Sequence, residues 1–211
     1  MGKNDDQLLR ERIIHKAKEL FFRHGIRMVT MDQIATDLGM SKKTVYEMFK
    51  DKEAIIIQLM EFELKRQEDE MNAIRKSSIN AVEEIMKTMQ FFTIAYSKVT
   101  PIFFFELQKY HAAIWQHFLK FKDQCVCTMI EENLRIGIKQ ELYRKDLKVK
   151  ILARMRMQQI DMAYDTRIFP IESFNPFDVQ ICMLEHFLYG ICTLKGHKLI
   201  NKYKHINEGD E

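Results

Sequence analysis

Apolar residues recur at the three-to-four-residue spacing of an amphipathic helix along nearly the whole chain, and no segment alternates with the period of two that a half-buried strand requires. In residues 7–24 they fall at Ile13, Ile14, Ala17, Leu20 and Phe21, which predicts a helix that Gly25 ends. Ile34, Ala35 and Leu38 mark one face of a short second helix. Val45, Met48 and Phe49 mark a third, with Met40 filling the corner between them. Gly39 supplies the positive-φ exit that a sharp corner needs. Thr30 with Gln33 has the spacing of a capping box, and Ser41 suits the N-cap of the third helix. Asp51 then caps a fourth helix expected to run as far as Lys76, with Ile55, Ile56, Leu59, Phe62 and Leu64 along one side. Without glycine or proline it reads as a rigid strut.

The pattern stays helical beyond the break at Ser77-Ser78-Ile79-Asn80. Asn80 with Glu83 forms a second capping box, opening a helix to about Lys98, and Thr100-Pro101 starts the next. Residues 101–137 are aromatic, with a break expected near Ala113. A loop follows at 139–146, then a helix from Leu147 to about Asp165 and a connector from Pro170 to Phe174. Asn175-Pro176 opens the last long helix, expected to reach about Leu194 and to end at Gly196. The fold class is all-α. It comprises an N-terminal three-helix helix-turn-helix domain over residues 1–53 and a C-terminal helical domain over 54–211.

Composition places the chain among globular proteins: 211 residues, 46% apolar and 30% charged. The net charge is only +3. Residues 1–53 hold 11 Lys and Arg against 9 Asp and Glu, and the remainder 22 against 21, so the basic character is a local patch of Lys42, Lys43, Lys50 and Lys52. Cys125, Cys127, Cys182 and Cys192 include no CxxC pair, and Cys125 and Cys127 point to different sides of a helix. Buried, reduced thiols are expected, and no metal or other cofactor. The opening Met-Gly-Lys-Asn-Asp-Asp lacks an export signal and no 18-residue apolar run follows, so neither secretion nor membrane insertion is expected.

The outward side of the third helix carries the chemistry. An αα-corner serves many helical cores, but here Lys42, Lys43, Thr44 and Tyr46 stand together with no acid before Glu47. Such side chains suit phosphates and base edges. The first 55 residues closely resemble the N-terminal domain of the TetR family of bacterial regulators, through Ile13, Ile14, Ala17, Leu20, Phe21, Gly25, Thr30, Ile34, Ala35, Gly39, Ser41, Thr44, Tyr46, Phe49, Lys52 and Glu53. The resemblance covers about a quarter of the chain. It implies that Thr30, Tyr46 and Lys52 hold phosphates and that Lys42, Lys43 and Thr44 lie in the major groove. Met48 and Lys43 depart from the residues frequent in the family and bear on individual groove contacts.

The same resemblance implies a cytoplasmic bacterial regulator, in the first instance a repressor. It would bind a palindromic double-stranded operator as a homodimer and answer a small effector. Phe91, Phe92, Tyr96, Phe103, Phe104, Tyr110, Trp115, Phe118 and Met129 are candidate lining for a largely apolar ligand, and they suit a filled core equally. His111, His117 and His186 are candidate polar anchors. Ile151, Met155, Met183, Phe187, Gly190 and Ile191 are candidate dimer contacts. An enzyme is not expected: the chain has no phosphate-cradling glycine loop, no His-Glu-x-x-His and no serine elbow. The competing expectation is a constitutive helix-turn-helix DNA-binding protein whose C-terminal half is packed and ligand-free.

Overall fold

In a computed structural model the chain is described over residues 3–165, 167–170 and 172–204; the ends of the two expected domains and Ile171 of the expected connector lie outside these. The helices are α1 (Lys3–His24), α2 (Met31–Asp37), α3 (Lys42–Met48), α4 (Lys52–Ser77), α5 (Ala81–Tyr96), α6 (Pro101–Tyr110), α7 (Ala112–Phe121), α8 (Cys127–Lys139), α9 (Val149–Met162), α10 (Pro176–Ile191) and α11 (Leu194–Lys204). Lys122–Val126 form a wider π-helical turn between α7 and α8. Among the described residues there is no strand, only an isolated antiparallel bridge between Tyr143 and Cys192. The chain divides into two compact units, Met1–Glu68 with Lys98–Lys120, and Asp69–Ser97 with Phe121–Glu211.

The first unit is built on α1. Ile13, Ala17 and Phe21 on its apolar face are fully buried, as are Ile34 of α2, Val45 of α3 and Ile55, Ile56 and Leu59 of α4. Helices of seven residues, the length of α2 and α3, are marginal alone in water, so their apolar faces hold them in place by burial. α6 packs on α1 through Phe103, whose ring meets that of Phe22 edge-on at 4.8 Å. The amide of Thr100, just before α6, donates to Phe22 O at 2.8 Å. Buried Glu63 is satisfied by Lys18 Nζ at 2.6 Å and Arg66 Nη2 at 2.9 Å.

The second unit packs α5, α8, α9, α10 and α11 around Leu134, Tyr143, Ala153, Phe187, Leu188 and Ile200. Its centre holds a polar chain. Tyr143 OH donates to Asn133 Oδ1 at 3.1 Å, and Asn133 Nδ2 donates to Glu84 Oε2 at 2.8 Å and to Ala81 O at 2.9 Å. Gly137 lies inside α8, where the Tyr143 ring occupies the space a side chain would need.

The C-terminal boundary differs from expectation. α10 stops at Ile191 because Cys192 turns extended (φ −76, ψ 152) and pairs with Tyr143. Thr193 Oγ1 accepts from Gly196 N at 3.3 Å, so Gly196 sits in the first turn of α11 and ends nothing. The break near Ala113 falls at His111, between α6 and α7. None of the four cysteines is in a disulfide, but only Cys127 and Cys192 are buried; Cys182 is exposed on α10.

Candidate nucleic-acid interface

The corner between α2 and α3 is assembled by short-range hydrogen bonds. Thr30 is extended, and its Oγ1 accepts from Gln33 N at 3.1 Å, starting α2. α2 closes with Met40 N donating to Ala35 O at 2.9 Å and Gly39 N to Thr36 O at 3.0 Å, the paired bonds of a left-handed glycine cap. Gly39 has φ +65. Ser41 Oγ then accepts from Thr44 N at 3.1 Å and shares a 2.8 Å hydrogen bond with the Thr44 hydroxyl. Val45, Ala35 and Phe49 face inward, each at most 2% exposed.

That burial leaves the other side of α3 in solvent. The Lys43 side chain is 86% exposed, that of Lys42 65%, and Tyr46 is 50% exposed, while Thr44 is half-buried against Ser41. Lys42 pairs with Asp32, and Lys43 stands 3.8 Å from Glu47. Exposed pairs of this kind contribute about 0–1 kcal/mol, whereas a well-made base contact discriminates by about 1–3 kcal/mol, so neither pair locks its lysine away from a duplex. Thr30 is exposed at the start of α2, and its hydroxyl retains a proton to donate while accepting from Gln33.

Lys52 is placed differently. Its Nζ donates to Ile26 O and to Val29 O, both at 2.8 Å, and it is half-buried. Burial lowers its pKa, opposed by the nearby Glu106 carboxylate. Two of its three N–H donors are thus spent on the loop that leads into α2.

That loop is gripped from a second side. Glu106 Oε2 accepts from Ile26 N at 2.6 Å and from Arg27 N at 2.9 Å. The Arg27 guanidinium lies 4.8 Å over the Tyr110 ring, and its Nη1 donates to Tyr110 OH at 3.2 Å. Gly25, with φ +82, is the one residue that admits this approach: a Cβ there would lie 2.5 Å from Ile102 Cγ2 and 2.9 Å from Glu106 Oε2. His111 ends α6 with its Nδ1 buried and without a partner; burial lowers its pKa, with Glu53 acting against it. Sequence reasoning missed Glu106. The available signal was a lone carboxylate in Ile-Phe-Phe-Phe-Glu-Leu, a place where an acid needs buried donors.

The nine candidate ligand-lining residues are divided between the units. Phe103 is buried against Phe22, Tyr110 is exposed under Arg27, and Phe104, Trp115 and Phe118 form a half-buried ring cluster, all in the first unit. Phe91, Phe92, Tyr96 and Met129 are half-buried in the second, with Phe92 stacked on Tyr96 at 5.9 Å. His117 and His186 are exposed. Of the candidate dimer contacts, Ile151, Met155 and Gly190 are exposed and Met183 is half-buried, whereas Phe187 and Ile191 are 2% exposed within their own unit's core. Among the described residues no three His, Cys, Asp or Glu side chains gather as metal ligands, and no helix is long and apolar enough to cross a membrane.

Residues 13–59 match the family model of the bacterial regulatory proteins of the tetR family. These residues form a DNA-binding segment of the TetR type. The matched segment holds the α2–α3 corner and the exposed side of α3, so transcription regulation through a DNA-binding helix-turn-helix is what this part of the chain serves. TetR-like architecture extends over the rest. A transcriptional regulator from Saccharomonospora viridis, in complex with choline, is similar at 19% identity and TM-score 0.74, over 89% of this chain and 99% of that one. A regulator from Cytophaga hutchinsonii is similar at 21% identity and TM-score 0.69, over 87% and 98%. FadR from Bacillus subtilis, in complex with stearoyl-CoA, is similar at 21% identity and TM-score 0.64, over 86% and 98%. At these identities the TetR likeness beyond the matched segment is one of fold. No curated protein matches the chain significantly.

Proposed function

We propose that this chain is a TetR-family repressor in the bacterial cytoplasm that binds a palindromic operator as a homodimer and answers a small effector. The observation that carries the DNA part is the solvent-facing side of α3, where Lys42, Lys43 and Tyr46 stand clear of a fully packed inner side. Lys42, Lys43 and Thr44 reach base edges in the major groove. Thr30 and Tyr46 hold flanking phosphates. Lys52 acts mainly by fixing the loop from which α2 starts, with one N–H left for a phosphate.

Two reading helices must meet successive major grooves about 34 Å apart, which a two-fold dimer provides. The exposed apolar side chains of α9 and α10, Ile151, Met155 and Ile181, beside exposed Gly190, support a dimer face there; Phe187 and Ile191 back it from within. A domain cut near residue 53 separates the reader from the part that assembles and senses. The effector shifts the balance between two arrangements of the reading helices, by binding one better than the other.

Similar folds bind ligands as unlike as choline and stearoyl-CoA, which supports a small-molecule role for the second unit without naming its class. Capture of genomic fragments by the purified protein, followed by sequencing, tests the proposal. An inverted repeat with half-sites about one helical turn apart is expected. Recovery of fragments without a shared motif counts against it. A ligand-blind, constitutive binder would give the same motif and keep it under every small molecule tried.

A further inference from the structure

Among the described residues of the second unit, one buried cation has no anion. Arg156 on α9 is only 6% exposed. Its Nη2 donates a long 3.5 Å hydrogen bond to Gln180 Oε1, and Gln180 is itself held by donation from Nε2 to Ile160 O at 2.7 Å. The Arg156 Nη1 is enclosed and meets no acceptor, and Gln159 Oε1, one helical turn further along α9, is likewise enclosed and unpaired.

Three carboxylates of neighbouring segments are engaged elsewhere, Asp161 with Lys122, Asp123 with Arg154, and Glu185 with Lys204, and Asp178 of α10 is exposed. Burial pulls the Arg156 guanidinium down to about 10, still far above neutrality, so the group remains charged. A buried ion without a counter-ion costs several kcal/mol, and a hydrophobic residue of the same volume would serve packing better. The other buried residues of the two helices here, Ala153 and Met157 on α9 and Val179 and Leu184 on α10, offer only apolar surface.

We infer that Arg156, flanked by Gln159 and Gln180, anchors the carboxylate or phosphate group of a small, largely apolar ligand. The inference deepens the effector part of the proposed function and gives the effector its charge. A planar guanidinium offers a carboxylate or phosphate two parallel N–H bonds, which matches the idle Nη1 beside the weakly used Nη2. The Gln159 amide, turned over, adds N–H donors to the same group. A quaternary ammonium, such as the choline held by the Saccharomonospora viridis regulator, would meet repulsion here.

The test uses the full-length protein and four probes with one alkyl chain: laurate, dodecyl phosphate, dodecanol and dodecyltrimethylammonium, each below its micelle concentration. Binding is read by calorimetry and by thermal shift. Laurate or dodecyl phosphate is expected to bind about tenfold or more tightly than the neutral and cationic probes, and the preferred anion tells a carboxylate from a phosphate site. Arg156→Met is expected to abolish that preference while the unliganded protein melts no lower than wild type, because the substitution removes an uncompensated buried charge. Equal binding of all four probes, binding of neither anion, or an anion preference retained in Arg156→Met, or in Arg156→Gln should Arg156→Met not fold, overturns the inference. DNA capture by the wild-type protein without ligand is scored separately, so the regulator proposal and the anion site fail independently.

Discussion

The carboxylate of Glu106 lies 2.6 Å from the backbone nitrogen of Ile26, a residue 80 positions away in the chain. It also accepts from Arg27 N, so one side chain of α6 satisfies two successive amides of the loop that launches α2. Lys52 satisfies two carbonyls of the same loop, and the peptide groups of a segment without secondary structure are thereby paired from both sides. Glu106→Ala removes the oxygen that both amides share, whereas Glu106→Gln keeps one oxygen that can accept from both and loses only the charge. An unpaired buried amide costs about 1–3 kcal/mol, so Glu106→Ala should lower the unfolding free energy from urea titration by at least that order, and Glu106→Gln by less. Unchanged values would show that the loop holds itself.

Gly25 and Gly39 both take positive φ, yet substitution should separate them. At Gly39 a methyl group would meet nothing within 4 Å, so Gly39→Ala carries only the backbone cost of a left-handed residue, about 1–2 kcal/mol. At Gly25 the methyl would also press on Ile102 and on the carboxylate that holds the loop. Gly25→Ala should therefore destabilise more than Gly39→Ala in parallel denaturation series, and equal losses would place the strain in the backbone alone.

The local devices of the chain were legible in the sequence because they act over short distances along it. The Thr30, Ser41, Asp51 and Asn80 caps, the glycine exit at Gly39 and the face of α3 all depend on residues within five positions of one another. What stayed hidden acts at long range. Glu106 reads as one acid among phenylalanines until the fold brings it to Ile26, and nothing local marks Gly137 as the place that the Tyr143 ring fills. The break after Ile191 was missed for the same reason, since the bridge from Cys192 to Tyr143 spans half a domain of sequence. Arg156 carried no signal at all, because a lone arginine on an amphipathic helix is ordinarily solvated.

Glu84 makes the second unit sensitive to pH. Burial raises its pKa, against the hydrogen bond from Asn133 and the attraction of Arg75, with Glu132 adding to the rise. Between the unfolded-state value, about 4.3, and the raised folded-state value, the folded protein keeps a proton that the unfolded chain has released. The stabilisation is present below that interval and is lost as pH rises through it. Glu84→Gln keeps an acceptor for Asn133 and removes the titration. Its unfolding free energy should lack the decline that the wild type shows from about pH 4 upward, and it should be at least as stable at neutrality. Parallel slopes for the two proteins would mean that Glu84 ionises as freely as an exposed acid.

Lys43 and Tyr46 stand on the same exposed side of α3, but different roles are proposed for them, and each role predicts its own pattern of loss. A lysine on a base edge discriminates by about 1–3 kcal/mol, so Lys43→Ala should weaken the captured operator by roughly tenfold and scrambled DNA far less. Tyr46 on a phosphate carries no sequence information, so Tyr46→Phe should weaken operator and scrambled duplex by similar factors. Neither side chain takes part in the core, and both variants should keep the wild-type melting point and assembly state. Anisotropy titrations on the two duplexes at fixed salt separate the roles, because counter-ion release otherwise masks them. A selective loss in Tyr46→Phe with a uniform loss in Lys43→Ala would exchange the two assignments, and no loss in either would move the duplex off α3.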